Sequence, residues 1–212
     1  MLNNFLKKSL ICTLTGLSTI TSYAYSCNPS STAIRSAPDS RYTIINDGTE
    51  VKDKRTGLIW QRCSIGKTFD GKKCAGVSDV YNWKKMLVLD ESLKKGVRVD
   101  EYSSKNYRVG ETINYDGTRI DESLNNGHRI PTIKELESLV EIACSEKIAG
   151  AIAINTNVFP NTQAWFKSFT PDLDNKDKSI DILFSNGNGK GSRRYSYPKE
   201  VTGGHIRLVR DK

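Results

Sequence analysis

Histidine is scarce in this chain, and the ligand spacings of common metal centres are missing. Only His128 and His205 occur in 212 residues, both inside segments that read as structural, so a hydrolytic triad has little to draw on. His128 is read as a satisfied turn residue. No C-x-x-C and no H-x-x-x-H is present, which removes the short ligand spacings of structural zinc. No nucleic-acid motif accompanies the basic excess, and no internal repeat is visible. Beyond residue 26, no apolar run is long enough to cross a bilayer.

What is present begins with an address. Lys7 and Lys8 precede an apolar stretch over residues 9–20, and small residues follow around Ala24, so residues 1–26 read as a signal peptide. Removing 26 residues from 212 leaves 186, enough for one domain with a core. The leader carries two lysines and no acid, so the net charge falls from +8 to +6. That modest excess favours acidic surfaces or polyanions as partners. The expected location is therefore the periplasm, the cell surface or the medium. Lipidation at Cys27 is disfavoured, because Ala24 stands where a lipoprotein signal wants an aliphatic residue.

Cys12 lies in the leader, which leaves Cys27, Cys63, Cys74 and Cys144. An even number in an exported chain reads as two disulfides, and four cysteines allow three pairings. Cys63 with Cys74 is the local choice, since residues 66–71 between them can turn the chain back. Cys27 then ties the N-terminal tail to Cys144.

Residues 27–41 are rich in Ser, Pro and Ala and read as that tail, with the domain over 42–212. Strands are expected over 42–45 and 49–53 around an Asp47-Gly48 turn, and over 58–61. Trp60 is expected in the core. Asn82 caps a helix that opens at Trp83, with Trp83, Met86 and Leu87 on its buried face, and that fades at Lys94-Lys95-Gly96. A second helix follows Pro131, opened by the capping box of Thr132 and Glu135. Its buried stripe is Ile133, Leu136, Leu139 and Val140, with Lys134, Glu137 and Glu141 facing water. Between the helices, residues 97–126 read as a long polar loop. Further strands are expected over 180–184 and 205–209.

Five segments and one tryptophan carry a family likeness. Asp47-Gly48-Thr49-Glu50-Val51 and Thr56-Gly57-Leu58-Ile59-Trp60-Gln61-Arg62-Cys63 come first, followed by Trp83 at the helix start. Arg129-Ile130-Pro131-Thr132-Ile133-Lys134-Glu135-Leu136 comes next. Ile154-Asn155-Thr156-Asn157-Val158-Phe159-Pro160-Asn161-Thr162 and Ile206-Arg207-Leu208-Val209-Arg210 complete the set. In order and spacing, residues 42–210 resemble the C-terminal domain family of the Legionella collagen-like adhesin. The resemblance implies an α+β, C-type-lectin-like fold: two helices around small twisted antiparallel sheets, stapled by disulfides, with the termini close together. Two departures stand out. The family's F-W-S-S-T-P block becomes Phe166-Lys167-Ser168-Phe169-Thr170-Pro171, with Trp165 displaced, and the segment before the second helix is longer than usual. If the usual aromatic lines a ligand groove, Lys167 lines it here.

The formylglycine-generating enzymes share that broad fold, but their oxidase chemistry needs reactive, metal-binding thiols. These cysteines sit where structural disulfides are expected, so the chain is read as no enzyme and as needing no cofactor or metal. Calcium-dependent lectins carry E-P-N or Q-P-D together with W-N-D, and this chain has none of them. Asp172, Asp174 and Asp177 are read as a solvated surface. Arg129 and Glu135 are read as structural, Arg129 through carbonyls of the core. The binding residues expected are Lys190, Arg193, Arg194 and Lys199 in a Gly/Ser/Tyr-rich loop, with Tyr195 and Tyr197 interleaved. Arginine offers paired donors to sulfate or carboxylate, and tyrosine a stacking face to sugar rings. The leading expectation is an exported, non-enzymatic binding or adhesion module for glycans or sulfated polyanions. The alternative is an assembly subunit of a pilus or secretion apparatus that binds an envelope protein.

Overall fold

A computed structural model describes residues 34–95, 127–144, 151–185, 192–201 and 203–212. The leader, Cys27, the 97–126 loop and Lys190 lie outside these residues. Strands β1 (Tyr42–Ile45), β2 (Glu50–Asp53), β3 (Ile59–Gln61) and β9 (Val209–Arg210) form one antiparallel sheet in the order β1-β2-β3-β9. Val51, Trp60 and Val209 stand in one row across it, all fully buried. That row explains why Trp60 is core: its neighbours on both sides are apolar and face inward. The β1–β2 turn is longer than a two-residue Asp-Gly hairpin. Ile45 pairs with Glu50, and Asn46 and Asp47 both take positive φ, which short polar side chains tolerate.

Asp53 locks the next turn. Its carboxylate takes Nε of buried Arg41 at 2.7 Å, the Arg55 amide at 3.0 Å and the Thr56 hydroxyl at 2.8 Å. Burial works to raise its pKa, but the Arg41 and Thr56 hydrogen bonds outweigh it and hold the group below its ordinary value. A second hairpin, β4 (Lys67–Phe69) and β5 (Cys74–Gly76), is closed by the expected Cys63–Cys74 disulfide, with Cα atoms 5.5 Å apart. Cys144 is buried and also engaged in a disulfide, and Cys27, its expected partner, lies outside the described residues.

Helix α1 (Trp83–Lys95) opens as expected, with Asn82 Oδ1 accepting the Lys85 amide at 3.0 Å. Its buried face differs from the expectation. Leu87 is 46% exposed, while Met86 and Leu93 are buried and Leu89 packs beside them. The stripe runs at three- and four-residue steps from Met86, onto Tyr81, Ile130, Ile206 and Leu208.

Helix α2 (Ile133–Ser138) has both halves of the capping box, and it buries Ile133, Leu136 and then Leu139. It is only six residues long, so Glu141 falls beyond it. The expected water-facing Glu141 is instead fully buried. It accepts hydrogen bonds from Arg35 Nε and from the amides of Ser36 (2.8 Å) and Ala37 (3.1 Å). The part of the N-terminal tail that is described is thus built into the domain.

A third sheet is a meander of β6 (Trp165–Pro171), β7 (Lys178–Leu183) and β8 (Arg193–Pro198), order β6-β7-β8. Phe166 and Ile182 from its inner face join Trp60, Leu136, Leu139, Phe159 and Phe184 in the main core. The expected closing strand over 205–209 is shorter, since only β9 pairs regularly and the residues before it make single bridges. They still alternate. Ile206 and Leu208 enter the core beneath α1, whereas Arg207 points to Phe159 and Phe166 in the main core.

Among the described residues, no helix is long and apolar enough to cross a membrane. The architecture is α+β, with two helices and small antiparallel sheets.

Candidate functional site

Residues 193–198 form a strand, which corrects the expectation of a basic loop. Strand geometry sends successive side chains to opposite faces, and that alternation sorts the candidate residues. Arg194 shares a face with Phe166 and Ile182, register partners across the sheet. At the rim of that face its Nε and one Nη donate to the two oxygens of Glu137 in α2. Arg193, Tyr195 and Tyr197 lie on the other face. Arg193 is exposed, and among the described residues it has no ion pair.

Lys199 follows the strand. Its ammonium sits 4.8 Å from the centre of the Trp83 ring and donates to the Lys176 carbonyl. Trp83 itself stacks on Phe169 at 5.1 Å. Lys199 is therefore partly committed at the foot of α1.

Lys167 is a correction. It is fully buried and its Nζ lies 2.9 Å from Asp181 Oδ2, so it lines no surface groove. The returning chain covers it: a Cβ added at Gly204 would stand 2.6 Å from Lys167 Cγ. Glycine at 204 is what lets the backbone lie over the lysine stem. Burial pushes the Asp181 pKa up, against the opposing pull of Lys167 and Trp165, and the net direction is upward.

Around that pair, the face is aromatic. Trp165 Nε1 donates to Asp181 Oδ2 at 3.1 Å, and its ring stands 4.6 Å from that of Tyr197. Tyr197 in turn lies 5.7 Å from Tyr195, giving a continuous row. In register, Asp181 faces Tyr195 and Ser179 faces Tyr197. Asp181 Oδ1 and Ser179 Oγ are both buried, and neither has a well-aligned hydrogen bond; the Ser168 amide stands by the Asp181 carboxylate. Trp165, Ser179 and Asp181 were not expected at this site. One signal for them was legible: a lone acid in the otherwise apolar run Ile180-Asp181-Ile182-Leu183, which demands a buried partner.

The remaining candidates serve the framework. Arg129 makes a two-pronged pair with Glu135, at 2.9 and 2.6 Å, and reaches Asp211 at 3.2 Å. Contrary to the expectation, its side chain binds carboxylates rather than core carbonyls among the described residues. That role belongs to Arg62, which donates to the carbonyls of Val158, Gly48 and Asn157, and to Arg207, which donates to those of Gln61 and Arg62. Burial, with Arg62 nearby, pushes the Arg207 guanidinium down to about 9, so it stays charged at neutral pH.

His128 is buried with Nε2 2.7 Å from Glu50 Oε1, an ion-pair distance without hydrogen-bond alignment. Burial pushes its pKa down, and Glu50 pulls the other way. His205 Nδ1 meets the Asp79 carbonyl at 2.9 Å. Asp172 organises its own turn, accepting the Asp174 amide at 3.0 Å and the Ser196 hydroxyl. Among the described residues, no three side chains converge as a metal site.

A family model described as the Lcl C-terminal domain matches residues 49–210, which span β2 through β9. No curated protein and no solved structure matches the chain. The matched range takes in the segments that build this framework: the Trp60 strand, the capping box of α2, and the Arg207–Arg210 ending. The chain belongs to the Lcl C-terminal domain family.

Proposed function

We propose that this protein is an exported, non-enzymatic adhesion module that binds a glycan or sulfated polyanion at β8, on a C-type-lectin-like framework. The carrying observation is the outward face of an edge strand that presents exposed Arg193 beside the half-buried rings of Tyr195 and Tyr197. A guanidinium offers paired donors to sulfate or carboxylate, and tyrosine rings offer flat apolar area beside it. Membership of an adhesin-derived family supports the binding role. The Cys63–Cys74 disulfide supports the non-enzymatic reading, since it occupies thiols an oxidase would need free. Lys199 and Arg194 contribute less than Arg193, because Trp83 and Glu137 already hold them.

Heparin-column retention tests the proposal. Arg193→Ala will elute at lower salt than the wild type at an unchanged melting temperature, and Arg194→Ala will shift less. Screening shortens the Debye length from about 10 Å at 0.1 M salt to about 3 Å at 1 M, so high salt will release the wild type. Equal retention of wild type and Arg193→Ala removes the strand as the polyanion site.

A further inference from the structure

The Trp165, Tyr197 and Tyr195 row carries two features that cross-strand packing alone does not explain. Asp181 uses one carboxylate oxygen twice, for Lys167 and Trp165, and its other oxygen is buried without a well-aligned hydrogen bond, although the Ser168 amide stands by the carboxylate. Ser179 Oγ, in the adjacent row of the same face, is unpartnered as well. Buried oxygens left unpaired cost stability, and these two share one face of the sheet beneath the aromatic row. Both are enclosed, and each lies opposite a tyrosine on a strand that ends its sheet.

We propose that this aromatic row is a stacking subsite for a neutral pyranose ring, and that Tyr195 and Tyr197 rotate as the sugar binds so that the enclosed Asp181 Oδ1 and Ser179 Oγ take its hydroxyl hydrogens. The C–H face of a sugar is weakly positive and apolar, and it meets the negative face of an aromatic ring. Tyr195, at the outer end of the row, provides the first ring face, and Tyr197 continues it towards Trp165. The acceptors choose the ligand's charge. A carboxylate at this depth accepts hydroxyl donors and repels sulfate or a uronic acid, so the ring over Asp181 carries no charge. Arg193, at the start of the same strand face, then meets an acidic substituent further along the glycan.

This inference rests on the reading of β8 as the ligand face, and salt separates the two. A panel of immobilised neutral sugars, built from glucose, galactose, mannose and N-acetylglucosamine, is probed in 1 M NaCl, where exposed charge contacts are screened. The wild type will retain at least one neutral sugar under these conditions. Tyr195→Ala/Tyr197→Ala will weaken that binding about tenfold or more, the scale of a lost aromatic contact. Independently of any variant, titrating the retained sugar into the wild type will shift backbone amide resonances of residues 165, 179, 181, 195 and 197. Retention of no neutral sugar overturns the subsite, as do amide shifts confined to other surfaces. Unaltered binding by a double variant that melts like the wild type overturns it too. Loss of heparin retention with neutral-sugar binding intact would remove only the polyanion reading.

Discussion

Arg207 and Lys167 are both cations enclosed by the protein, and the partners that hold them differ in kind. Arg207 has no carboxylate. It spends its donors on the Gln61 and Arg62 carbonyls and the Thr162 hydroxyl, and lies over Phe159 at 4.7 Å and Phe166 at 5.4 Å. A planar guanidinium spreads its charge and tolerates such a site better than an ammonium does. Lys167 depends on one acid, Asp181, and neither side chain reaches solvent. Desolvating two charges offsets much of their attraction, so the pair itself adds little net stability, but removing one partner strands the other. Lys167→Met should therefore cost about 3–5 kcal/mol by urea denaturation, and Lys167→Met/Asp181→Leu should recover most of it. A double variant as unstable as the single one would show that the packing of Gly204 over the lysine stem, rather than charge, sets the cost.

At the scale of elements, α2 shows how a short helix is held. Six residues cannot sustain a helix alone, so its ends and its buried face must supply the stability. Glu135 acts twice. It accepts the Thr132 amide at 2.7 Å within the capping box, and its two oxygens receive the Arg129 guanidinium. Thr132→Ala should cost about 1 kcal/mol, with sugar and heparin binding unchanged in the folded protein. Glu135→Ala should cost more, because it also leaves Arg129 without its carboxylate. Chemical denaturation of the two variants checks the order, and equal losses would mean that the Arg129 pair contributes nothing. Strand β8 illustrates a different rule. Its residues are polar, and their regular alternation becomes visible only once β7 supplies a register.

For the whole molecule, both ends of the described chain are built into the domain. β9 joins β3, Arg210 binds Glu50 of β2, and the tail at 35–37 holds Glu141, three positions before Cys144. Residues 35–37 thus lie beside the segment that leads to Cys144, and the Cys27–Cys144 link stays an expectation, since Cys27 lies outside the described residues. Mass mapping of the non-reduced mature protein should return Cys63–Cys74 and Cys27–Cys144 peptides. Replacing Cys63 and Cys74 with serine should cost roughly 3 kcal/mol on the loop-entropy account, read as a lower melting temperature. A Cys27 found unpaired would break the second expectation and leave the first standing.

Local chemistry was legible in the sequence because neighbours along the chain decide it. Asn82 and Thr132 start helices by accepting amides three residues away. The cysteine spacing, the short apolar run Leu58-Ile59-Trp60 and the family segments belong to the same class of signal. What only the tertiary structure decided depends on residues far apart in sequence. Leu87 and Leu89 are equally apolar, and the position of the Ile206 and Leu208 segment decides which one is covered. Glu141 is buried because the tail a hundred residues earlier brings donors to it, and Lys167 because Asp181 and Gly204 enclose it. The aromatic face of β6, β7 and β8 has the same origin. Its residues come from three strands, and sheet register alone sets them side by side.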